Sequence, residues 1–397
     1  MPDRHRNHPA LALLLAAGLS VSSFSIRSVA DPQGTPPPLS RIDGVVGQAI
    51  DSGRIPGAVV LVGQGGRILF EKAFGHRRLE PRPEPMTLGT RFDLASLTKA
   101  VATAPAVLIL VQDGKVGLDD PISRYLPDFG RRGKATVTVR QALTHYSGLA
   151  PYFRLEAKGP GAASAVIDKI CDSDLSAAPG SRFIYSDLGF ILLGRLIEAV
   201  SGEPLDRFVD SRIFAPLQMV EAGFSPPPGE GHPIAPTEKG EDGTFLRGRV
   251  HDPLASTMGG VAGHAGLFSN ARDLSRYCRM LLNEGSLEGA RVLEPRWVRQ
   301  MVSPQSPPGK PDIRGLGWDI QSRYSSPRGA HFSPRSFGHT GFTGTSLWLD
   351  PEIQAYLIIL TSRLHPDGRG DVRALRKEIA TIVGAALSPA RGHAADM

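Results

Sequence analysis

Cysteine is scarce in this chain, and its scarcity excludes several kinds of small cross-linked protein. The 397 residues include two cysteines, Cys171 and Cys278. They form no C-x-x-C pair and belong to no zinc-type Cys/His spacing, which argues against a disulfide scaffold and a zinc module. Two separate buried thiols are the favoured interpretation, although an exported protein could join them in one disulfide.

Dense clusters of positive charge are also absent. Lys and Arg number 45 against 39 Asp and Glu, a formal net charge of +6, and 41% of the residues are apolar. This is the composition of a soluble globular protein. Because the basic residues are spread along the chain, we expect no nucleic-acid partner. From Asp31 onward, no apolar run approaches the ~20 residues that span a bilayer.

The segment 1–30 resembles a secretory signal. Arg4 and Arg6 give a positive start, residues 10–18 are apolar, and small residues precede Asp31. Residues 31–39 then form a Pro-rich linker. The sequence therefore predicts a periplasmic or secreted protein. The alternative is an uncleaved N-terminal anchor, which would be the one expected link to a membrane.

The remaining chain predicts a single domain over residues 40–387, followed by a flexible tail at 388–397. Strand patterns near residues 58–74 return at residues 316–361, and helical patterns dominate from about 115 to 300. An amphipathic helix is expected at 40–53, with a capping box from Ser40 to Asp43, and a further helix at 371–387. We therefore predict an α/β fold of the α+β type. An antiparallel sheet is built from both chain ends and flanked by helices, with a mostly helical inserted region.

The motifs of several large enzyme classes are missing. The chain has no G-x-S-x-G elbow, no H-E-x-x-H and no Walker or Rossmann glycine pattern. Ser96-Leu-Thr-Lys99 does place a hydroxyl and an amine on one face of a helix. Near a helix N-terminus, free N–H groups favour a developing oxyanion. A serine nucleophile also needs a neighbouring base, and the lysine amine is close enough in sequence to supply one. Alone, however, S-x-x-K is common by chance.

Two further motifs change that judgement. Tyr185-Ser-Asp187 opens an apolar helix, and His339-Thr340-Gly341 enters the returning strands. By composition, all three motifs in this order are expected roughly 0.02 times. The set resembles the serine β-lactamase and penicillin-binding superfamily, in particular its class C β-lactamase and D,D-carboxypeptidase branch. The resemblance covers roughly residues 40–387, and it includes segments 118–127, 143–149 and 338–344.

The resemblance implies a role for each motif residue. Ser96 would attack a carbonyl and form an acyl-enzyme, Lys99 would keep the proton network poised, and Tyr185 would be the general base. The backbone N–H groups of Ser96 and Phe342 would form the oxyanion hole. The predicted catalytic residues are thus Ser96, Lys99 and Tyr185, and the predicted substrate-binding and oxyanion residues are Asp187, His339, Thr340, Gly341 and Phe342.

Two positions depart from the family pattern. Asp187 stands where Asn is usual, so it can only accept hydrogen bonds when ionised and should pair with Lys99, raising the pKa of that amine. His339 stands where many relatives have Lys, and an imidazole titrates near pH 6.5. From this we expect carboxylate substrates to bind better as the pH falls toward 6. Both departures weaken the case for efficient β-lactam hydrolysis.

The sequence thus predicts an exported serine hydrolase that acts through an acyl-enzyme on a peptide, amide or ester. A small-molecule or peptidoglycan-like substrate is expected, with no cofactor and no metal. A β-lactamase and a non-catalytic penicillin-binding sensor are the alternatives. Outside the motifs, His145 is interpreted as a helix-end residue, His251, Asp252 and His264 as loop residues, and Arg363 as a surface residue that could instead meet a substrate carboxylate.

Overall fold

The computed structural model describes residues 38–227, 233–240 and 242–388. The predicted signal segment 1–30, almost all of the linker 31–39 and the tail from residue 389 lie outside the described residues, so those expectations stay predictions. Among the described residues, no helix is both long and apolar enough to cross a bilayer.

Strands are concentrated near both ends of the described chain, and most of the helices lie between them. The α-helices are α1 (Arg41–Asp51), α2 (Ala104–Gln112), α3 (Val139–Leu143), α4 (Ala162–Asp172), α5 (Asp187–Ser201), α6 (Leu205–Val209), α7 (Pro253–Thr257), α8 (Ala271–Leu282), α9 (Pro295–Val302) and α10 (Arg373–Leu387). The strands are β1 (Gly57–Gln64), β2 (Arg67–Arg78), β3 (Glu84–Pro85), β4 (Phe92–Asp93), β5 (Gly223–Phe224), β6 (Leu267–Ser269), β7 (Ser286–Leu287), β8 (Ala290–Arg291), β9 (Ile313–Arg314), β10 (Asp319–Gln321), β11 (Phe337–Thr340), β12 (Ser346–Asp350) and β13 (Ala355–Leu360). Wider π-helical turns cover Lys99–Thr103 and Asp210–Phe214, and short 3-10 turns cover Ile122–Arg124, Pro127–Gly130 and Ser326–Arg328.

The main sheet joins the two ends of the domain, as the sequence predicts. Its eight strands run in the order β3-β2-β1-β13-β12-β11-β10-β9, with antiparallel neighbours throughout. The central contact pairs Val59 of β1, near the start of the domain, with Leu360 of β13, near its end. A smaller sheet, β4-β6-β5, pairs β4, which precedes the inserted region, with two strands from within that region. The chain passes from β4 directly to the predicted nucleophile.

Both faces of the central strands are covered, which explains their nearly continuous apolar sequence. In β1, Val59 and Leu61 belong to the core shared with the inserted helices. The alternate residues Val60 and Val62 face a second core formed with α1 and α10. Because successive side chains of a strand point to opposite faces, a strand covered on both sides needs apolar residues at every position.

Local details differ from the sequence expectations at Ser40 and agree with them at the cysteines. The Ser40 side chain makes no capping hydrogen bond to α1, so the predicted capping box is wrong; Ser40 has helical backbone angles, which remove the extended geometry a cap requires. Cys171 and Cys278 are free, buried thiols, which confirms the favoured interpretation of the two cysteines.

Candidate active site

The turn between β4 and the helical segment at Lys99 presents Ser96. Ala95, the residue before it, has φ of +46°, a left-handed conformation that is strained for a residue with a side chain. The turn is held from both sides: the Ala95 N–H donates to Asp93 Oδ1 over 2.8 Å, and the Leu94 N–H donates to the Leu267 carbonyl over 2.9 Å. A rigid turn of this kind fixes the serine hydroxyl at the start of a helix.

Asp93 links this turn to a neighbouring loop. Its second oxygen accepts the His251 N–H over 2.7 Å, and the side chain is buried. Burial raises the pKa of Asp93 to about 6, although the two backbone N–H donors act in the opposite direction. No sequence motif marks Asp93, and only its place three residues before Ser96 in a buried strand could have suggested a role.

Lys99 lies at the centre of the candidate site, with no part of its surface exposed. Its Nζ donates to Ser96 Oγ over 2.9 Å and to the His264 carbonyl over 3.0 Å, and it forms an ion pair with Asp187 Oδ1 at 2.8 Å. The expected contact with Asp187 is therefore present. Burial lowers the pKa of Lys99, but Asp187 and then Tyr185 outweigh it, so the pKa is raised above its ordinary value. Lys99 is a fixed cation at neutral pH.

Tyr185 and Asp187 are held by the segment that follows α3. The Ile184 N–H donates to the His145 carbonyl, and the Asp187 N–H donates to the Pro151 carbonyl. The Tyr185 ring packs over Lys99, with 5.1 Å between Nζ and the ring centroid. Ser186 caps α5 by accepting the Gly189 N–H, so the motif opens the helix as the sequence predicts.

His145 has a more specific position than a helix end. Its ring stacks on Tyr185 with 4.3 Å between the centroids, and its Nδ1 accepts the Ser186 N–H over 3.0 Å. Burial and the positive charges of Arg314 and Lys99 hold the pKa of His145 well below its ordinary value. The imidazole is thus neutral and serves as a platform for the tyrosine.

The third motif lies on β11 and the turn after it. His339 and Thr340 pair with Leu347 and Ser346 of β12, and Gly341 begins the turn. A Cβ on Gly341 would overlap the Thr345 hydroxyl and the Leu94 carbonyl, so the close approach of this turn to the nucleophile requires glycine. Among the described residues, neither the Ser96 N–H nor the Phe342 N–H has a hydrogen-bond partner, as an oxyanion hole requires.

The expectation of a titrating His339 is wrong. The imidazole is buried, and burial together with Arg314 and then Lys99 lowers its pKa well below the ordinary value. Its Nδ1 lies 2.9 Å from the Thr340 carbonyl, which identifies Nδ1 as the protonated nitrogen, and its Nε2 has no partner among the described residues. His339 is therefore neutral at neutral pH and does not act as a cation beside Tyr185 there.

One cavity of about 970 Å³ is lined by all the predicted site residues except Lys99, namely Ser96, Tyr185, Asp187, His339, Thr340, Gly341 and Phe342. Phe342, Tyr324 and Tyr152 give it an aromatic mouth, and Phe342 is 60% exposed. The cavity also contains more arginines than the sequence analysis considered, namely Arg314, Arg363, Arg369, Arg373 and Arg376. Arg363 packs against the Phe342 ring at 4.4 Å and donates to the Phe342 carbonyl, so it belongs to the site and not to a remote surface.

The loop histidines form hydrogen-bonded pairs with acids. His264 Nε2 lies 2.7 Å from Asp252 Oδ1, and His251 Nε2 lies 2.7 Å from Glu238 Oε1. Burial raises the pKa of Asp252, but His264, the Ala255 N–H and Lys99 together lower it to about 2. In the described part of the chain, no group of three or more His, Cys, Asp or Glu side chains could hold a metal ion.

The fold and this arrangement are those of a serine hydrolase. The Beta-lactamase family profile matches residues 42–381. The chain therefore belongs to the Beta-lactamase family.

Curated relatives and solved structures agree with this assignment. A Salmonella agona protein named "Putative D-alanyl-D-alanine carboxypeptidase" is 33% identical over 367 residues, and the match covers 82% of this chain and 83% of that protein. An Escherichia coli K12 protein of the same name is also 33% identical, and the match covers 82% of each chain. Among solved structures, a penicillin-binding protein homologue from Caulobacter crescentus has a TM-score of 0.71 at 22% identity, covering 89% of this chain and 99% of its own. EstCE1, described as a hydrolase with promiscuous acyltransferase activity, has a TM-score of 0.69 at 24% identity, covering 88% and 98%. At these identities, the structural matches show the fold alone.

Proposed function

We propose that the protein is a D,D-carboxypeptidase-type serine hydrolase that removes a terminal D-amino acid from a peptide. The observation that carries the proposal is the fixed position of Lys99 between Ser96 Oγ and Asp187. It leaves Tyr185 as the group that moves protons. The name of the 33% identical relatives supports the choice of substrate class.

Acylation follows from this geometry. Ser96 Oγ bonds to the carbonyl carbon of the scissile amide, and its proton passes to Tyr185. The Lys99 ammonium, which donates to Ser96 Oγ and lies against the Tyr185 ring, stabilises the phenolate that accepts this proton. The developing oxyanion meets the N–H groups of Ser96 and Phe342, and one such donor is worth about 3 kcal/mol. When the carbon–nitrogen bond breaks, Tyr185 returns the proton to the leaving amine.

Deacylation uses the same groups in reverse order. Tyr185, again deprotonated, takes a proton from a water molecule that attacks the ester carbonyl. The carbon–oxygen bond to Ser96 then breaks, and Ser96 recovers its proton from Tyr185. Lys99 remains charged throughout, because Asp187 keeps its pKa high. A neutral lysine base is not needed at any step.

Arginine supplies the positive charge for a substrate carboxylate. The four acids that line the cavity all have partners: Asp187 with Lys99, Asp252 with His264, Asp319 with Arg314, and Asp371 with Arg373. Arg363 lies beside Phe342 and forms no ion pair among the described residues. A guanidinium at this place suits the free carboxylate of a terminal D-amino acid.

Intact-mass measurement tests the proposal. The protein is incubated with a D-Ala-D-Ala peptide, a panel of β-lactams and short-chain esters, and both the covalent adduct and its lifetime are recorded. We expect release of D-Ala from the peptide, with an adduct on Ser96. Ser96→Ala should abolish the adduct, and Tyr185→Phe should slow its formation. An equal adduct on Ser96→Ala, or no D-Ala release by the wild type, would contradict the proposal.

An esterase is the second candidate function. The exposed aromatic side chains at the cavity mouth, Phe342 at 60% and Tyr324 at 45% exposure, favour apolar acyl or alcohol groups. The same experiment separates the two functions: faster turnover of a neutral ester than of the D-Ala-D-Ala peptide favours the esterase. A D,D-carboxypeptidase also needs export to reach its substrate, so cleavage just before Asp31 in the secreted protein is part of the proposal.

A further inference from the structure

A buried arginine on the C-terminal helix contacts the turn that contains the predicted oxyanion donor. Arg376, on α10, has 8% of its surface exposed. Its Nη2 donates to the Gly341 carbonyl over 3.0 Å and to the Thr345 carbonyl over 2.7 Å. These two carbonyls mark the beginning and the end of the turn, and the Gly341 N–H also donates to the Thr345 carbonyl over 2.7 Å. One guanidinium therefore holds both ends.

The first of these carbonyls belongs to the peptide unit of the oxyanion donor. The C=O of Gly341 and the N–H of Phe342 are parts of one planar trans peptide, so they point in opposite directions. A guanidinium that anchors the carbonyl on the α10 side fixes the N–H on the opposite side, toward the cavity. A positive donor on the carbonyl also polarises the peptide and strengthens its N–H as a donor.

We propose that Arg376 is a positioning residue for catalysis, which orients and polarises the Phe342 N–H so that it stabilises the oxyanion. Arg376 acts through the Gly341–Phe342 peptide and does not touch the reacting atoms. Arg363 supports the next peptide of the turn in the same way, because its Nε donates to the Phe342 carbonyl over 2.7 Å. The inference rests on the proposed acyl-enzyme chemistry and adds to it a residue that acts from outside the three motifs.

The cost of burying this side chain supports a functional reason for it. Arg376 Nε has no partner among the described residues, and burial, with the charge of Arg363 next, lowers the pKa of Arg376 to about 9. The side chain is still charged at neutral pH. Burying a charge next to a like charge destabilises the folded protein. The contacts that Arg376 makes in return are with the oxyanion turn, so a role for the side chain at that turn accounts for its buried position.

The test measures the acyl-enzyme itself. A neutral p-nitrophenyl ester with a ¹³C-labelled carbonyl is mixed rapidly with the enzyme, the acylation rate is recorded, and the carbonyl stretch of the acyl-enzyme is read by difference infrared spectroscopy. Stronger donors in the oxyanion hole lower this frequency. We expect Arg376→Met to slow acylation about tenfold or more, since a full donor is worth 10²–10³ in rate, and to raise the carbonyl frequency. Arg376→Lys, which keeps the charge, should lie between Arg376→Met and the wild type.

Arg276→Met is the matched control. Arg276, on α8, also donates to a backbone carbonyl, that of Leu217, and pairs with a glutamate, Glu288, but it lies outside the cavity lining. Its loss should alter stability without changing the carbonyl frequency. The frequency is measured only on acyl-enzyme that has formed, so partial unfolding of a variant does not alter it. If Arg376→Met does not fold, the frequency of Arg376→Lys decides.

The outcomes separate this inference from the proposed function. An unchanged frequency and rate in both Arg376 variants would overturn the inference and leave the proposed function intact. A rate loss confined to carboxylate-bearing substrates would overturn it too, because Arg376 would then bind substrate directly. If the wild type forms no acyl-enzyme with any substrate, both proposals fail.

Discussion

Replacing Asp187 by Asn tests how the candidate site holds its lysine. In the described part of the chain, Asp187 is the one carboxylate that pairs with the fully buried Lys99, at 2.8 Å. Removing one partner of a buried ion pair costs about 3–5 kcal/mol when the other charge is left unpaired. Here the Ser96 hydroxyl and the His264 carbonyl remain as acceptors, and the new amide oxygen can accept as well. We therefore expect a smaller loss in the free energy of unfolding, about 2 kcal/mol.

Thermal unfolding measures this loss. For a domain of about 350 residues, an unfolding entropy of about 2.1 cal/mol/K per residue converts 2 kcal/mol into a decrease in Tm of about 3 °C. The control is Glu198→Gln on the same helix, which removes an exposed pair with Arg195 and should cost less than about 0.5 kcal/mol. If Asp187→Asn melts at or above the wild-type temperature while the control is neutral, the ion pair does not stabilise the site and the reasoning fails.

The same variant makes a prediction about pH. Asp187 raises the pKa of Lys99, whereas burial alone lowers it. Without the carboxylate, Lys99 should lose its proton at a lower pH, so the alkaline limb of kcat/KM moves down. The pH dependence of kcat/KM reports the free enzyme. An alkaline limb that stays in place would mean that the charge of Lys99 is not required for catalysis.

Three further predictions concern residues around the reacting groups. The pKa of Asp93 is raised to about 6, and below that pH the protonated acid loses one acceptor for the backbone N–H groups of Ala95 and His251. The pH profile of kcat/KM should therefore show an acid limb near pH 6. Asp93→Asn should remove this limb and lower the activity at every pH. Because the pKa of Asp93 in the folded protein lies above its ordinary value of 3.8, protonation of Asp93 stabilises the folded state as the pH falls from 6 toward 4. Circular dichroism should therefore show that the loss of activity over this pH range is not caused by unfolding. His339→Gln should leave the KM profile between pH 6.5 and 8.5 unchanged in shape, because the pKa of the wild-type imidazole lies well below that range; a rise in KM with pH that only the wild type shows would contradict this. His145→Ala leaves the Ser186 N–H unpaired and should cost about 1–3 kcal/mol in a melting experiment, with kcat reduced more than KM is changed; His145→Asn, which retains an acceptor, should recover part of both losses.

The sequence predicts the parts of this molecule that local patterns encode. Period-two and period-3.6 apolar spacing locates the strands at both chain ends and the helices between them, and the antiparallel sheet joins them as expected. The motifs at Ser96, Tyr185 and His339 are short enough to recognise in the sequence, and the structure places all three around one cavity. The contact of Lys99 with Asp187 could be anticipated because opposite charges in one site attract.

What could not be predicted depends on groups that are distant in sequence. The pKa of His339 is lowered by burial and by Arg314, which lies on a different strand. Neither cause can be read from the sequence, so residue type alone led to the wrong expectation that this histidine titrates near pH 6.5. The Ser40 cap failed because the backbone at that residue is already helical. Arg376 did leave a signal: it lies four residues after Val372 and three before Ile379, within the apolar stripe of α10, where a charged residue needs a reason.

These contacts suggest why the cavity uses several fixed charges instead of one titrating group. Lys99, Arg314 and Arg376 are all buried, and each helps to keep a neighbouring imidazole neutral or a carbonyl oriented. An imidazole in the third motif would lose its charge near pH 6.5 if it were exposed, so binding that relied on it would vary across the neutral range. A guanidinium keeps its charge there even when burial lowers its pKa, as it does for Arg376. The positive potential at the oxyanion turn is therefore independent of pH in the neutral range, and His339 can act as a neutral acceptor through its Nε2, which has no partner among the described residues.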